Sequence, residues 1–326
     1  MTAQTVSRPA RVRLFRRFVE TRELTLAVLI LAIVAAMSLS SPYFMTAANL
    51  RAMAVGMTPT AIIAIGMAIL LASGGFDLSV GSVMALSSTI AAMLLVAGAP
   101  ITIAVLAAFA IGALAGLANG LLVTLFTINP LVATLGTMSV ARGAAFVLTD
   151  GFSISNLPEA FGMVGASSLL GLPILTWIML VLVAAFDLVV RHAVFFRQIY
   201  FIGANEKAAH LSGIRVSRVR LVAYTLSGLL SAVAGVLLAS RLMSGTPTAG
   251  NGLELQVLAA AVIGGASLRG GEGTILGAFL GVVFMALINN AMTLLDVSIY
   301  WQMIVIGLVL VAAVAVDMTV RRKSNR

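Results

Sequence analysis

The stretch RHAVFFRQIYFIGANEKAAHLSGIRVSRVR, Arg191 to Arg220, is the one long polar interruption in a chain that is otherwise nearly all apolar. Reading it as a loop between membrane spans decides the fold. Within it Asn205 is a good helix N-cap, Glu206 stands in the first turn, where a helix N-terminus favours negative charge, and Gly213 is placed for a C′ stop. These signals bound a helix near residues 206–212. A helix of roughly two turns is unstable alone in water, so something must hold it. Two roles fit: a docking helix gripped by a soluble protein, or an amphipathic loop helix resting on lipid headgroups.

Outward from this loop the sequence is 61% hydrophobic and only 10% charged, with mean hydropathy +1.12 over 326 residues. That leaves too little polar surface to cover a soluble globule of this size, and the chain reads as an all-α polytopic membrane protein. The net charge of +9 comes in short clusters between apolar runs, without the aromatic interleaving that stacks bases, so nucleic acid is not a partner. Cysteine is absent, which excludes disulfides and thiolate metal sites. The 30 glycines and the alanine-rich runs suit helices that pack closely in lipid.

With about 20 residues needed to cross the hydrocarbon core, spans are expected at 24–40, 52–72, 80–97, 101–126, 131–148, 173–190, 219–240, 254–268, 273–295 and 298–317, about ten in all. They make up a permease-like domain, 24–317, between a basic segment, 1–23, and a basic tail, 318–326. With both termini in the cytoplasm, every Lys and Arg except Arg51, Arg142 and Arg241 falls in a cytoplasmic segment, as the positive-inside rule requires. That puts the 191–220 loop in the cytoplasm. The uncharged breaks at 73–79 and 127–130 are either loops or bends at membrane depth. The loop 149–172, rich in Gly, Ser, Asn and Pro, reads as irregular structure on the outer face. A faint echo links GGFDLSVG at 74–81 with GGASLRGG at 264–271, matching Gly74 to Gly264 and Gly75 to Gly265.

Polar side chains within spans must find partners or water, so each is a functional candidate. Asp77, between Gly75 and Gly81, either lines a pathway where the backbone departs from helix or caps the following span. Asn129 lies at another break, either on the path or as the cap of a span whose first residue is Pro130. Arg142 follows twelve residues after Pro130, about 18 Å at 1.5 Å per residue. It snorkels outward, binds Asp150 or contacts a polar solute. Asn119, Asn289 and Asn290 are placed to hydrogen-bond between helices.

Catalytic patterns are missing. A phosphate-binding loop needs lysine after glycine, but Lys207 follows Glu206 and Lys323 follows Arg322. His192 and His210, the only histidines, form no metal-binding spacing, and no serine sits in a nucleophile elbow. No catalytic, cofactor or metal residues are assigned, and the chain is not read as an enzyme.

Five ordered strings then carry a specific resemblance: GGFDLSVGSVMAL at 74–86, INPLVATLGT at 128–137, Arg142 with Gly143, FIGANEKAAHLSGI at 201–214 and LAAAVIGGASLRGGEGTILGAFLG at 258–281. Together they resemble the permease subunits of bacterial ABC importers for monosaccharides, the ribose, xylose, arabinose and galactose type that includes the autoinducer-2 and rhamnose importers. The resemblance runs from about Asn49 to Asp317. It implies that the cytoplasmic element Gly203, Asn205, Glu206, Ala208, Ala209, His210, Ser212, Gly213 and Ile214 couples to an ATPase. His210 stands where the family pattern leads one to expect a basic residue, often arginine.

Also implied are a second permease chain, identical or paralogous, a cytoplasmic ATPase with two nucleotide-binding halves, a periplasmic or lipoprotein sugar-binding protein, and a setting in the lipid of the bacterial inner membrane. ATP and Mg would reside on the ATPase, with no cofactor in this chain. The function expected is import of a monosaccharide or related small polyol by alternating access. The alternative is an ion-coupled secondary sugar carrier that uses Asp77 and Arg142 directly.

Overall fold

In a computed structural model, residues 22–324 are described, with side chains from 23 to 315. The expectations for the basic segment 1–23 and for the side chains of the tail 318–326 therefore lie outside the described residues, Glu23 excepted.

The described residues form an all-α polytopic membrane fold. In chain order the helices are α1 (Arg22–Ser40), α2 (Ala47–Ala72), α3 (Val80–Val96), α4 (Ile101–Thr124), α5 (Pro130–Thr149), α6 (Glu159–Ala166), α7 (Ile174–His192), α8 (Val194–Ala204), α9 (Glu206–Leu211), α10 (Val216–Leu242), α11 (Leu253–Ile263), α12 (Ile275–Leu294) and α13 (Ile299–Ser324). Seven are long and apolar enough to span: α1 from Glu23, α2, α4, α5, α7, α10 and α12. Each of the ten expected spans has a helix in its place. Three of those helices are short apolar segments: α3, α11 and the portion Ile299–Ala315 of α13. The expected span 254–268 is the clearest departure. Its helix, α11, has 11 residues and ends at Ile263, because the glycines that follow turn the chain out of helix.

At the centre lies α10, packed along α4, α2 and α3. The closest seam is α4–α10. Along α4 the buried residues are Ala104, Ala108, Gly112, Gly116, Asn119 and Gly120, a stripe of small side chains one turn apart. A Cβ at Gly112 or Gly116 would overlap the backbone of Gly228 or Tyr224 on α10. Without a hydrophobic drive between helices in lipid, such backbone approach supplies the packing energy. The second half of α2 is wholly enclosed, with every residue from Ala61 to Ala72 buried. The long apolar side chains on the rims of α1, α4, α5 and α13, such as Leu31, Leu106, Val147 and Leu308, are exposed, as suits a lipid-facing surface.

The loop 149–172, expected to be irregular, holds α6 and a two-stranded hairpin, β1 (Ser168–Leu169) with β2 (Leu172–Pro173). It folds across the end of α10. Ser240 Oγ donates to Phe161 O (2.7 Å) and accepts from Gly165 N (3.0 Å), and Ile154 pairs with Gly245. These tertiary bonds order a segment whose local composition signals only turns.

The candidate coupling site and the two helix breaks

The short helix in the opening stretch forms where its caps specify. Asn205 Oδ1 accepts from Ala208 N (3.0 Å), satisfying a donor of the first turn of α9. The helix stops because Gly213 adopts φ +82°, with Ile214 N donating to Ala209 O (3.1 Å) and Gly213 N to His210 O (3.0 Å). Only Ala209 is buried (4% exposed), and Ile214 is half-buried beside it. Glu206, Lys207, Ala208, His210, Leu211 and Ser212 all face outward, and Leu211 is 87% exposed. A buried foot and a bare apolar tip describe a knob held by its own protein.

Its attachment runs deeper than its caps. Glu206 Oε2 accepts from Arg220 (2.8 Å), and the same guanidinium donates to Ser73 O (3.3 Å). That ion pair is partly solvated and is worth about 0.2–1 kcal/mol. The firmer tie is steric. Gly203, at the end of α8, lies so close to Ala72 O and Gly271 N that a Cβ would overlap both. Gly271 N donates to Ala72 O (2.9 Å), and a Cβ on Gly270 would stand 2.7 Å from the Cα of Gly203 and 2.9 Å from that of Gly74. Three chain segments thus meet backbone to backbone: the end of α8, the break after α2 and the break after α11. Tyr200 on α8 adds a bond to Gly273 O (2.9 Å). Burial, and then the nearby Asp187 carboxylate, push its phenol above the usual range, so it stays a proton donor.

The two breaks share one cap. After α2, Gly74 N donates to Leu71 O (2.9 Å) and Gly75 N to Leu70 O (2.9 Å); after α11, Gly265 N donates to Val262 O (3.0 Å) and Ala266 N to Ala261 O (2.9 Å). Gly74 and Gly265 carry the positive φ that this Schellman pattern needs. The register of the echo noted in the sequence does not hold: the cap sets Gly74 against Gly265 and not Gly264, and the same pair of bonds also closes α3 at Gly98 and α9 at Gly213.

Asp77 lies beyond the first cap, 1% exposed. Its Oδ1 accepts from Ser79 N (2.9 Å), Ser79 Oγ (2.6 Å) and Asn119 Nδ2 (3.3 Å), and its Oδ2 from Ser227 Oγ (3.1 Å). Asn119 also donates to Ser79 Oγ (2.9 Å). The carboxylate thus ties the break to α4 and α10 from inside the protein, where irregular backbone is tolerated at depth. Asn129 caps α5, accepting from Leu131 N (2.9 Å) with Pro130 at the first position, as one of its two readings has it. It also lines a cavity of about 930 Å³ together with Gly74, Gly75, Glu206, His210 and Tyr224. Among the described residues Arg142 makes no bond to Asp150: it donates to Pro247 O (2.6 Å) and Ala249 O (2.7 Å), holding the loop after α10, with Glu254 near enough to act on it electrostatically. The three candidate path residues are therefore not gathered in one place. Asn129 opens on the cavity beside the knob, Asp77 is sealed between helices, and Arg142 clamps a loop near the other end of α10.

Sequence reasoning passed over Gly203 as a contact and Gly270 altogether. Their signal was glycine richness at 264–273, which says that backbone comes close but not to what.

Comparison with known proteins meets this geometry. Residues 49–314 match the family described as branched-chain amino acid transport system / permease component, and the chain belongs to it. Among its relatives are the ribose import permease protein RbsC of Bacillus subtilis (strain 168), 41% identical over 88% of this chain and 89% of the relative. RbsC of Escherichia coli (strain K12) is 38% identical over 97% and 99%. The L-arabinose ABC transporter permease protein AraH of Azospirillum brasilense is 36% identical over 91% and 87%. No solved structure gives a significant match. The chain is accordingly a multi-pass transport permease of the ABC importer class, neither an enzyme nor an ion-coupled carrier.

Proposed function

We propose that the chain is one of two permease subunits in the inner membrane of a bacterium, importing a monosaccharide or small polyol delivered by an extracytoplasmic binding protein. An ATPase with two nucleotide-binding halves grips the knob 203–214 from the cytoplasm. ATP and Mg belong to that partner, and the permease supplies the path and the lever.

One observation carries the reading: the knob rests, through Gly203, directly on the breaks after α2 and α11. A push on Leu211 and its neighbours reaches two membrane helices where each breaks off, with no flexible linker to absorb it. Closely packed elements pass from one arrangement to another and do not deform continuously. Movement at the joint would then open the cavity of about 930 Å³ to one side and close it to the other. The driving free energy is the ATPase's differential affinity for the two arrangements, so the path need hold its solute only weakly.

The test exploits the absence of native cysteine. Leu211→Cys in proteoliposomes containing ATPase and binding protein is expected to cross-link to the ATPase. Phe152→Cys, 76% exposed on the loop 149–172, is not. Uptake of labelled ribose or arabinose should require ATP on the ATPase side and persist after ion gradients are collapsed. Cross-linking at Phe152→Cys but not at Leu211→Cys, or uptake without the ATPase, overturns the proposal.

A further inference from the structure

The hairpin β1–β2 breaks a rule that a turn in water obeys. Its two-residue turn is Leu170 with Gly171, both at positive φ (+52° and +81°). Such turns favour Asn or Gly, and a bulky apolar residue at positive φ is an outlier. Leu170 nevertheless holds the first position and is 85% exposed. Beside it the paired residues Leu169 and Leu172 are 57% and 36% exposed. No ionisable side chain occurs between Glu159 and Asp187 to keep this tip in water.

The tip is fixed to the flank of the bundle, at the end away from the knob. β2 packs on α7 and α2, and the Trp177 indole N–H donates to Leu169 O (2.9 Å). Trp177, Val181 and Leu188 lie within about 40° of one another around α7. Val181 and Leu188 are well exposed, so this strip of a membrane span faces lipid. With 19 residues α7 is about 28 Å long, close to the ~30 Å of a hydrocarbon core. Trp177, in its first turn, therefore stands at the membrane boundary, where tryptophan gathers. Arg51, near the start of α2, is exposed and makes no ion pair among the described residues. Its guanidinium reaches to 3.8 Å from the place of a Cβ on Gly171. It is also one of the three basic residues outside the expected cytoplasmic segments, so its charge is not accounted for by topology.

We infer that the hairpin is an interfacial anchor: Leu169, Leu170 and Leu172 lie among the acyl chains of the leaflet opposite the knob, with Trp177 at the ester level and Arg51 at the headgroup phosphates. Lipid fits this surface better than a protein partner does. The tip continues the lipid-facing strip of α7, and apolar, indole and guanidinium groups match the three chemistries of a bilayer boundary. A soluble partner would leave three leucines in water whenever it departed. A leucine at a position that disfavours it is accounted for when its side chain is used against lipid. Through Ser240, which bonds Phe161 and Gly165 of the same loop, the anchor ties the end of α10 to that leaflet. The anchor depends on the membrane-spanning fold alone and not on the importer reading.

The test uses the full chain assembled with its ATPase in vesicles of phosphatidylethanolamine and phosphatidylglycerol, without binding protein. A nitroxide is attached at Leu170→Cys, in a chain that has no other cysteine. Its collisions with oxygen, which concentrates in lipid, are expected to exceed those with a water-soluble nickel chelate. Glu159→Cys, exposed at the start of α6, should show the reverse. Nickel-dominated collisions at Leu170→Cys mean that the tip stands in water, and shielding from both reagents means that protein covers it; either result overturns the anchor. Should Leu170→Cys fail to assemble, Leu169→Cys reads the same depth.

A second variant separates an anchor from a turn that is merely structural. Leu170→Asn suits positive φ better, so a structural turn would keep its place or tighten. An anchor instead loses the burial of one leucine, about tenfold or more in the balance between inserted and free tip. Nickel collisions at a Leu169→Cys nitroxide should therefore rise when Leu170→Asn is added. An unchanged ratio would show that the leucine does not hold the tip in lipid and overturns the assignment.

Discussion

After Ala72 the chain turns through Gly74 and after Ile263 through Gly265, by the same pair of hydrogen bonds, yet the two breaks are held in opposite ways beyond that point. The first is locked by side chains. Asp77, Leu78 and Ser79 are buried, and one carboxylate gathers donors from Ser79, Asn119 and Ser227. The second is locked chiefly by backbone, with side-chain bonds at Ser267 Oγ, which accepts from Arg269 N (3.1 Å), and from the Tyr200 hydroxyl, which donates to Gly273 O (2.9 Å). Ser267 N donates to Glu272 O (3.2 Å) and Gly270 N to Ser267 O (3.1 Å), Gly270, Gly271 and Gly273 take positive φ, and Arg269 and Glu272 point outward. A side-chain lock depends on residue type, whereas a backbone lock depends on shape. Gly203 touches both, so a lever resting there meets one support fixed by a carboxylate network and one fixed by glycines whose place no side chain can take.

Substitutions at the two supports would break or sharpen that contrast. The largest effect is expected at the first break. Asp77→Leu leaves buried donors on Ser79, Asn119 and Ser227 unmet, at about 1–3 kcal/mol for each that finds no substitute. The thermal midpoint of the detergent-solubilised protein should fall steeply. Asp77→Asn, which keeps an acceptor oxygen, should lose less than half as much. Equal stability of Asp77→Leu and the parent would show that the network does not lock this break.

Next comes the shared joint. Gly203→Val forces a side chain into Ala72 O and Gly271 N and should cost about 1–3 kcal/mol as overpacking. Because it spreads the joint itself, ATP-dependent uptake should vanish even where folded protein is recovered. Uptake at the parental rate would mean that force does not pass through this contact. The smallest effect is expected at the second break, where Arg269→Ala should leave the unfolding free energy within about 0.5 kcal/mol of the parent. A loss comparable to that of Asp77→Leu would erase the distinction between the breaks.

Much of the fold was legible in the residues. Apolar runs of near-spanning length gave a helix at every expected place, and Asn205, Gly213, Asn129 and Pro130 marked boundaries that the structure reproduces, because caps and stops are written within a few residues. Less legible were the ends of α11 and the content of the loop 149–172. A glycine-rich string does not say where helix gives way, and a turn-rich loop does not say which surface will order it. Of the candidate path residues, Asn129 was read locally and holds to its cap. Asp77, besides its local bonds from Ser79, and Arg142 take partners that lie 42 to 150 positions away in sequence, out of reach of any local rule.

By itself the sequence determined that this chain lives in lipid, that its helices pack on small residues, and that a capped short helix stands out from its polar loop. Those properties follow from composition, periodicity and side-chain bonds spanning a turn or less. Only the tertiary structure decided that Gly203 is wedged between two helix breaks, that Asp77 is a fastener inside the bundle, and that Asn290 is paired with Asn49 across α12 and α2. Each depends on which distant backbone arrives within van der Waals distance, and that is fixed by the packing of whole helices and not by any stretch of residues read alone.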